Sequence, residues 1–163
     1  MWIEIVRGTP VWVWGLLAVL VALGVSQSMP RRVSARRAVV VPALMVVLSL
    51  AGVATTFGAR PVALAAWAAG IALAIYFGLD AVAPRGARWL RDAARFELPG
   101  SWLPMALILA LFCVKYGVGV GLAITPSLAA NTGFEVAIAL AYGGFSGLFA
   151  ARAIALRRLA VRG

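Results

Sequence analysis

The sequence predicts an all-α fold, a polytopic transmembrane helical bundle of about five spans. Of its 163 residues, 64% are hydrophobic, and the mean hydropathy is +1.00. A soluble domain of this size could not bury that much apolar surface. The apolar residues form five stretches, and roughly 20 helical residues are enough to cross a hydrocarbon core. We therefore expect residues 1–163 to form a single integral membrane domain.

Prolines and polar residues give approximate bounds for the spans. Seven of the eight prolines lie at or near the end of an apolar stretch, and only Pro42 lies slightly inside one. A cleaved signal peptide is the other interpretation of the first stretch, but its charges follow the apolar run instead of preceding it. The predicted spans cover residues 10–29, 38–58, 61–82, 101–124 and 134–156.

The arginine distribution predicts the orientation. If loops 30–37 and 83–100 share a side with the C-terminal tail, that side carries eleven arginines, against Arg7 and Arg60 opposite. The positive-inside rule then predicts a bacterial inner (cytoplasmic) membrane protein with the N-terminus outside and the C-terminus in the cytoplasm. The same rule accounts for the net charge of +10 without nucleic acid. The arginines expected to contact anionic lipid head groups are Arg31, Arg32, Arg36, Arg37, Arg88, Arg91 and Arg95.

The second basic loop fits two structures. As a helix, residues 87–98 place Trp89, Ala93 and Phe96 on one face and arginines on another, which is typical of an interfacial helix. As a hairpin, residues 88–90 pair with residues 95–98 around a turn at 92–94. The sequence does not decide between them.

Lys115 is the strongest candidate for a functional residue. It is the only lysine among fifteen basic residues, and it lies roughly 20 Å from the cytoplasmic end of its span and 15 Å from the outer end. An ionisable residue at that depth is a functional-site hypothesis. The alternative is structural, with Lys115 bonded to helix carbonyls or tyrosine hydroxyls, or paired with Glu135. Depth alone groups the candidate site for an anion or polar solute as Lys115, Tyr116, Glu135, Tyr142, Thr55 and Thr56.

The glycines predict close helix packing. Gly117 and Gly121, like Gly143 and Gly147, have the four-residue spacing that lets two helices approach. We expect the fourth span to pack tightly against the fifth, with contacts between copies of the chain or a pore lining as alternatives. The tryptophans are expected at the membrane interfaces. Arg152 and Asp80 are expected near the cytoplasmic interface, at depths that would let them pair.

The composition disfavours catalysis. Histidine is absent, Cys113 is the only cysteine, and the five acidic residues are scattered over both membrane faces. No Gly-rich phosphate loop and no nucleophile elbow occurs. We expect no enzymatic activity, no cofactor and no metal site.

The order Pro99-Gly100-Ser101-Trp102, followed by Lys115-Tyr116 in the next span, resembles a family of uncharacterised bacterial multispan inner-membrane proteins. The resemblance implies no function. From the residues we expect a small oligomeric permease- or channel-like protein in which Lys115 receives an anion or a polar solute. The alternative is a non-catalytic assembly or regulatory subunit that packs against a partner through glycine-rich helix faces.

Overall fold

The computed structural model describes residues 8–90 and 93–162. Within this part of the chain, five helices are long and apolar enough to cross a membrane. They are α1 (Val11–Ser28), α2 (Ala35–Phe57), α3 (Pro61–Gly78), α4 (Leu103–Ile124) and α5 (Thr132–Arg162). Many of their large apolar side chains are exposed, as helices that face lipid require. This is the architecture of a multi-pass membrane protein.

Local side-chain hydrogen bonds and one glycine set several helix ends. Ser34 Oγ accepts a hydrogen bond from the backbone N–H of Arg37 at the start of α2. Asn131 Oδ1 accepts one from the backbone N–H of Phe134, 2.9 Å away, at the start of α5. Gly58 ends α2 with a φ of 74°, which glycine adopts without a steric penalty. The turn from α2 to α3 can therefore be short.

α5 is the most buried helix, and its closest neighbour is α3. A β-carbon at Gly143 would overlap the backbone carbonyl of Trp67, and one at Gly147 would lie 2.6 Å from the carbonyl oxygen of Ile71. In return, Gly70 of α3 faces the backbone of Leu140. The two backbones are in direct contact, as small residues permit in membrane helices. α2 packs on the same two helices.

The remaining helices, α1 and α4, pack against each other. Gly24 of α1 gives room for Met105 of α4. The fourth span was expected to pack tightly against the fifth. This expectation is wrong about the partner helix, because the α5 glycines contact α3. On α4, a β-carbon at Gly117 would meet open space, and one at Gly121 would touch only Leu128 of the 3-10 helix Pro126–Ala130. A four-residue glycine spacing permits close approach but does not select the partner helix.

A small sheet covers one end of the bundle. Its strands are β1 (Arg31–Ser34), β2 (Arg88–Leu90) and β3 (Arg95–Leu98), in the order β1-β3-β2 with both pairs antiparallel. The second basic loop is therefore the hairpin, and the interfacial helix is wrong. Asp92, in its expected turn, lies outside the described residues. The alternation along β3 favours the strand, because Phe96 and Leu98 are buried while Arg95 is exposed.

The sheet joins three basic segments at the same end of the bundle. β1 belongs to the first basic loop and β2 and β3 to the second. Phe96 and Leu98 pack with Ala38 of α2 and Leu156 near the end of α5. The sequence did not predict that the first loop pairs with the second. Which side of a membrane this end faces stays a prediction.

We expect the α3–α5 contact to be sensitive to a single methyl group. Gly143→Ala inserts a β-carbon into the Trp67 carbonyl, so it should lower the free energy of unfolding by about 1–3 kcal/mol. Gly144→Ala is the matched control, since nothing lies within 4 Å of its β-carbon position; it should change stability by less than about 0.5 kcal/mol. Unfolding in detergent micelles measures both. Equal effects of the two variants would contradict the packing described.

Candidate functional site

Lys115 lies at the junction between the two groups of helices. Near the middle of α4, it is roughly 18 Å from the first residue of that helix and 14 Å from the last, at about 1.5 Å per residue. It lines a cleft of about 120 Å³ between α2, α4 and α5. The polar side chains of the lining are Lys115, Ser49, Tyr142 and Ser146; the others are apolar.

The ammonium group of Lys115 lies over an aromatic ring. Its Nζ atom is 4.8 Å from the centroid of the Tyr142 ring, within the range of a cation–π contact. Space for it comes from Gly52 of α2, where a β-carbon would be 3.0 Å from Nζ. Within residues 8–90 and 93–162, Nζ has no hydrogen bond and no ion pair. Among the described residues, the charge is therefore compensated by the ring alone.

Ser49 fixes the ring on which Lys115 lies. Its hydroxyl donates to the backbone carbonyl of Tyr142 and accepts from Trp67 Nε1, both at 3.1 Å. Through these two hydrogen bonds, the buried Ser49 connects α2 with α3 and α5 beside the cleft. Ser49 was not predicted from the sequence, although a serine between two leucines in an apolar span is a signal of a polar contact between helices. Trp67, one of the tryptophans expected at a membrane interface, lies six residues after the start of α3 and donates its indole N–H to Ser49.

Tyr116 was grouped with Lys115 by depth, but the structure directs it to another helix pair. Its hydroxyl is 2.6 Å from Thr9 Oγ1, and its ring stacks on Phe112 with a centroid distance of 6.1 Å. Neighbouring residues on a helix point about 100° apart around its axis, so two residues at nearly the same depth can lie on different faces. Tyr116 contributes to packing between α4 and the start of α1, away from the cleft.

Thr55 and Thr56 also remain outside the cleft. Thr55 Oγ1 donates to the carbonyls of Ala51 and Gly52, and Thr56 Oγ1 donates to that of Gly52 at 2.8 Å. Threonine hydroxyls in helices commonly bond back to the preceding turn. Of the six grouped residues, the structure brings together Lys115 and Tyr142.

Glu135 has a different cationic partner from the one considered in the sequence. Its Oε2 atom is 3.1 Å from Arg60 Nη1, and its side chain is 2% exposed. It makes no ion pair with Lys115 within the described residues. The pair links the first turn of α5 to the turn between α2 and α3. Glu135 Oε1 is buried without a hydrogen-bond partner among these residues.

The arginines at the sheet end have unequal environments. Arg32 pairs with Glu97 across the sheet at 3.4 Å, whereas Arg31 is half-buried and donates to Gln27 Oε1 at 3.0 Å. Arg152 donates to the carbonyl of Val82 and makes no ion pair with Asp80. Arg91 lies outside the described residues. The exposed arginines that remain suited to lipid head groups are Arg32, Arg36, Arg37, Arg88 and Arg95.

The cleft combines a cation with an aromatic ring and a hydroxyl group. The Lys115 ammonium group has no counter-ion among residues 8–90 and 93–162 and lies in the same cleft as the Tyr142 ring and the Ser146 side chain. Such a group can pair with a small anion. Among residues 8–90 and 93–162, no three His, Cys, Asp or Glu side chains cluster as a metal ion would need.

We expect the Arg60–Glu135 pair to be structural. Arg60→Ala leaves the buried carboxylate without its partner and should lower the free energy of unfolding by about 1–3 kcal/mol, near the lower figure because Arg60 is half exposed. Adding Glu135→Gln should restore part of the loss, since the carboxylate charge is then gone. The control is Arg36→Ala, which removes an exposed arginine without an ion pair in the described residues. Equal losses for Arg60→Ala and Arg36→Ala would contradict this assignment.

Comparison with known proteins supplies a family and no activity. Neither a curated protein nor a solved structure matches the chain. A family of unknown function, DUF6622, matches residues 1–162, nearly the whole length. That agrees with the expected resemblance to an uncharacterised family, and the chain belongs to the DUF6622 family of unknown function.

Proposed function

We propose that this protein is a small permease-like membrane protein that binds an anion or a small polar solute at Lys115. The observation that carries the proposal is the ammonium group in the middle of α4, which has no hydrogen bond or ion pair within the described residues. The proposal assigns a binding and transport role and no catalytic step.

The positive charge of Lys115 costs free energy in the middle of a membrane span. A charged side chain near the centre of a bilayer costs about 2.5–3.5 kcal/mol on insertion scales, and more in simulations. Such residues therefore pair or line a polar pathway. The Tyr142 ring offsets about 0.5–2 kcal/mol through a cation–π contact. An anionic partner from outside the chain offsets the remainder, and the cleft gives it room.

The size of the cleft limits the class of solute. A volume of about 120 Å³ compares with the share of roughly 30 Å³ that each molecule takes in liquid water. A small inorganic anion or a short carboxylate fits this space. Ser146 adds a hydroxyl group, whereas the Ser49 hydroxyl already donates to the Tyr142 carbonyl, and the apolar lining favours a weakly hydrated anion.

The position of the cleft suits a change in access. Contacts between α4 and α5 are few compared with those between α3 and α5. The α1–α4 pair can therefore shift relative to the other three helices while the α3–α5 contact is kept. Such a shift would open the junction to one side of the membrane and then the other, which a permease requires and a rigid pore does not.

Membrane placement completes the proposal. The sheet end carries the basic segments, and the positive-inside rule assigns it to the cytoplasm of a bacterial inner membrane. An odd number of spans then places the start of α1 outside. Transport in this orientation would bring the solute from the side of the Arg60–Glu135 pair to the side of the sheet, or the reverse.

A second candidate function is an assembly or regulatory subunit. It is favoured by the face of α4 beside Lys115, where a β-carbon at Gly119, one helical turn after Lys115, would meet nothing within 4 Å. A partner helix with a carboxylate could pack there and compensate Lys115. A second copy of this chain could use the same face, which is how the oligomer expected from the sequence would form.

Anion flux tests the first candidate. Proteoliposomes with the full chain should pass chloride, nitrate or acetate faster than empty vesicles. Lys115→Met should lower that flux at least about tenfold, the equivalent of 1.4 kcal/mol, because it removes the only cation among the described residues that line the cleft. Cys113→Ser, an exposed position two residues away on α4, is the control and should leave flux unchanged. Unchanged flux in Lys115→Met for every anion that passes would overturn the proposal.

Photo-crosslinking tests the second candidate. A benzophenone amino acid at position 119 should capture a defined heterologous membrane protein if the face of α4 beside Lys115 is a partner surface. The control carries the same group at Leu73, an exposed position on α3. Capture of lipid or of a second copy alone, together with anion flux, would exclude the subunit and favour the permease.

A further inference from the structure

Two half-buried arginines come together beneath the sheet, at the end of the molecule away from the Arg60–Glu135 pair. Arg31 is opposite Leu98 in the β1–β3 register, so the two side chains share a sheet face. Leu98 is buried against Leu156 of α5. Arg152 precedes Leu156 by one helical turn and so lies on the same face of α5. The two arginines therefore approach each other between the sheet and α5.

Neither guanidinium has a counter-ion in the described residues. Arg31 donates to Gln27 Oε1 and Arg152 to the Val82 carbonyl, which leaves most of the five N–H donors of each group free. Burial lowers the pKa of Arg31, but a guanidinium stays protonated at neutral pH. The two positive charges lie on the facing surfaces of the sheet and α5, so they repel each other. Like charges held together in this way call for an anion.

The acidic residues of the described chain do not supply that anion. Glu97 pairs with Arg32 on the other face of the sheet, and Glu135 lies at the opposite end of α5 with Arg60. Asp80 is exposed and makes no ion pair with either arginine. The anion must come from outside this part of the chain.

The depth of the pair indicates which anion is available. Arg152 lies twenty residues after the first residue of α5, or about 30 Å along the helix axis, the thickness of a hydrocarbon core. β1 begins three residues after α1 ends. Both arginines therefore lie at the level of phospholipid head groups, where phosphate is the abundant anion. Arginine pairs bind phosphate oxygens through paired N–H donors.

We propose that Arg31 and Arg152 form a phosphate-binding site between the sheet and α5, which takes the phosphate of an anionic phospholipid or a free phosphate ion. The site is independent of the Lys115 cleft, because Tyr142 lies ten residues before Arg152 along α5, about 15 Å away. A bound phosphate would join the end of α1 to α5, two elements that otherwise meet through the sheet.

Binding to the full-length protein in a neutral detergent tests the proposal. One arm adds phosphatidylglycerol, with phosphatidylcholine as its reference; the other adds inorganic phosphate against chloride at equal ionic strength. Thermal stability and native mass spectrometry report binding. We expect stabilisation in at least one arm, and the arm that responds identifies the source. No stabilisation by either probe would overturn the proposal.

Variants separate this site from general electrostatic attraction. Arg31→Gln and Arg152→Gln should each weaken binding at least about tenfold, since each removes charge-assisted hydrogen bonds. Arg88→Gln removes the same charge from the exposed face of the sheet and should bind as the wild type does. Asp80→Asn should not weaken binding. If a glutamine variant fails to fold, Arg31→Lys or Arg152→Lys keeps the charge but loses the paired donors and should still bind more weakly. Equal losses at Arg31, Arg152 and Arg88 would overturn the proposal.

Discussion

The direct backbone contact between α3 and α5 determines where the polar groups of this protein lie. Gly70, Gly143 and Gly147 remove the side chains that would separate the two helices. With α5 held in this way, Tyr142 and Ser146 face α2 and α4, Glu135 reaches Arg60, and Leu156 supports the sheet. Glu135, in the first turn of α5, is the largest fully buried side chain among the described residues. α5 therefore organises both ends of the bundle and the cleft between them.

The ionisable residues of the bundle differ in how their charges are compensated. The carboxylate of Glu135 is matched by an arginine of the same chain, which makes it part of the fold. Lys115, Arg31 and Arg152 have no such partner in the described residues. In a medium where unpaired charge is expensive, a charge without a partner indicates a ligand. This distinction separates the anchoring pair from the two proposed binding sites.

Hydropathy predicted the helices well, because the length of an apolar stretch is written directly in the sequence. Hydropathy did not predict which helices pack against each other. Tyr116 and Glu135 have suitable depths for a site with Lys115, but depth says nothing about the direction in which a side chain points around its helix. The α5 glycines likewise predicted that two helices pack closely, but they did not predict which helix is the partner. The hairpin of β2 and β3 was one of two local alternatives, and β1 joins it through a pairing between residues more than sixty positions apart, which no local pattern contains.

Gly52 shows how the absence of a side chain shapes the cleft. A β-carbon there would be 3.0 Å from Lys115 Nζ, so a larger residue would displace the ammonium group from the Tyr142 ring. The same residue accepts hydrogen bonds from Thr55 and Thr56 through its carbonyl, so both hydroxyl protons are donated within α2. The protein thus provides space for the ammonium group beside the Tyr142 ring. A cation kept accessible in this way is suited to bind and release an anion, whereas a purely structural lysine would be expected to have its donors satisfied.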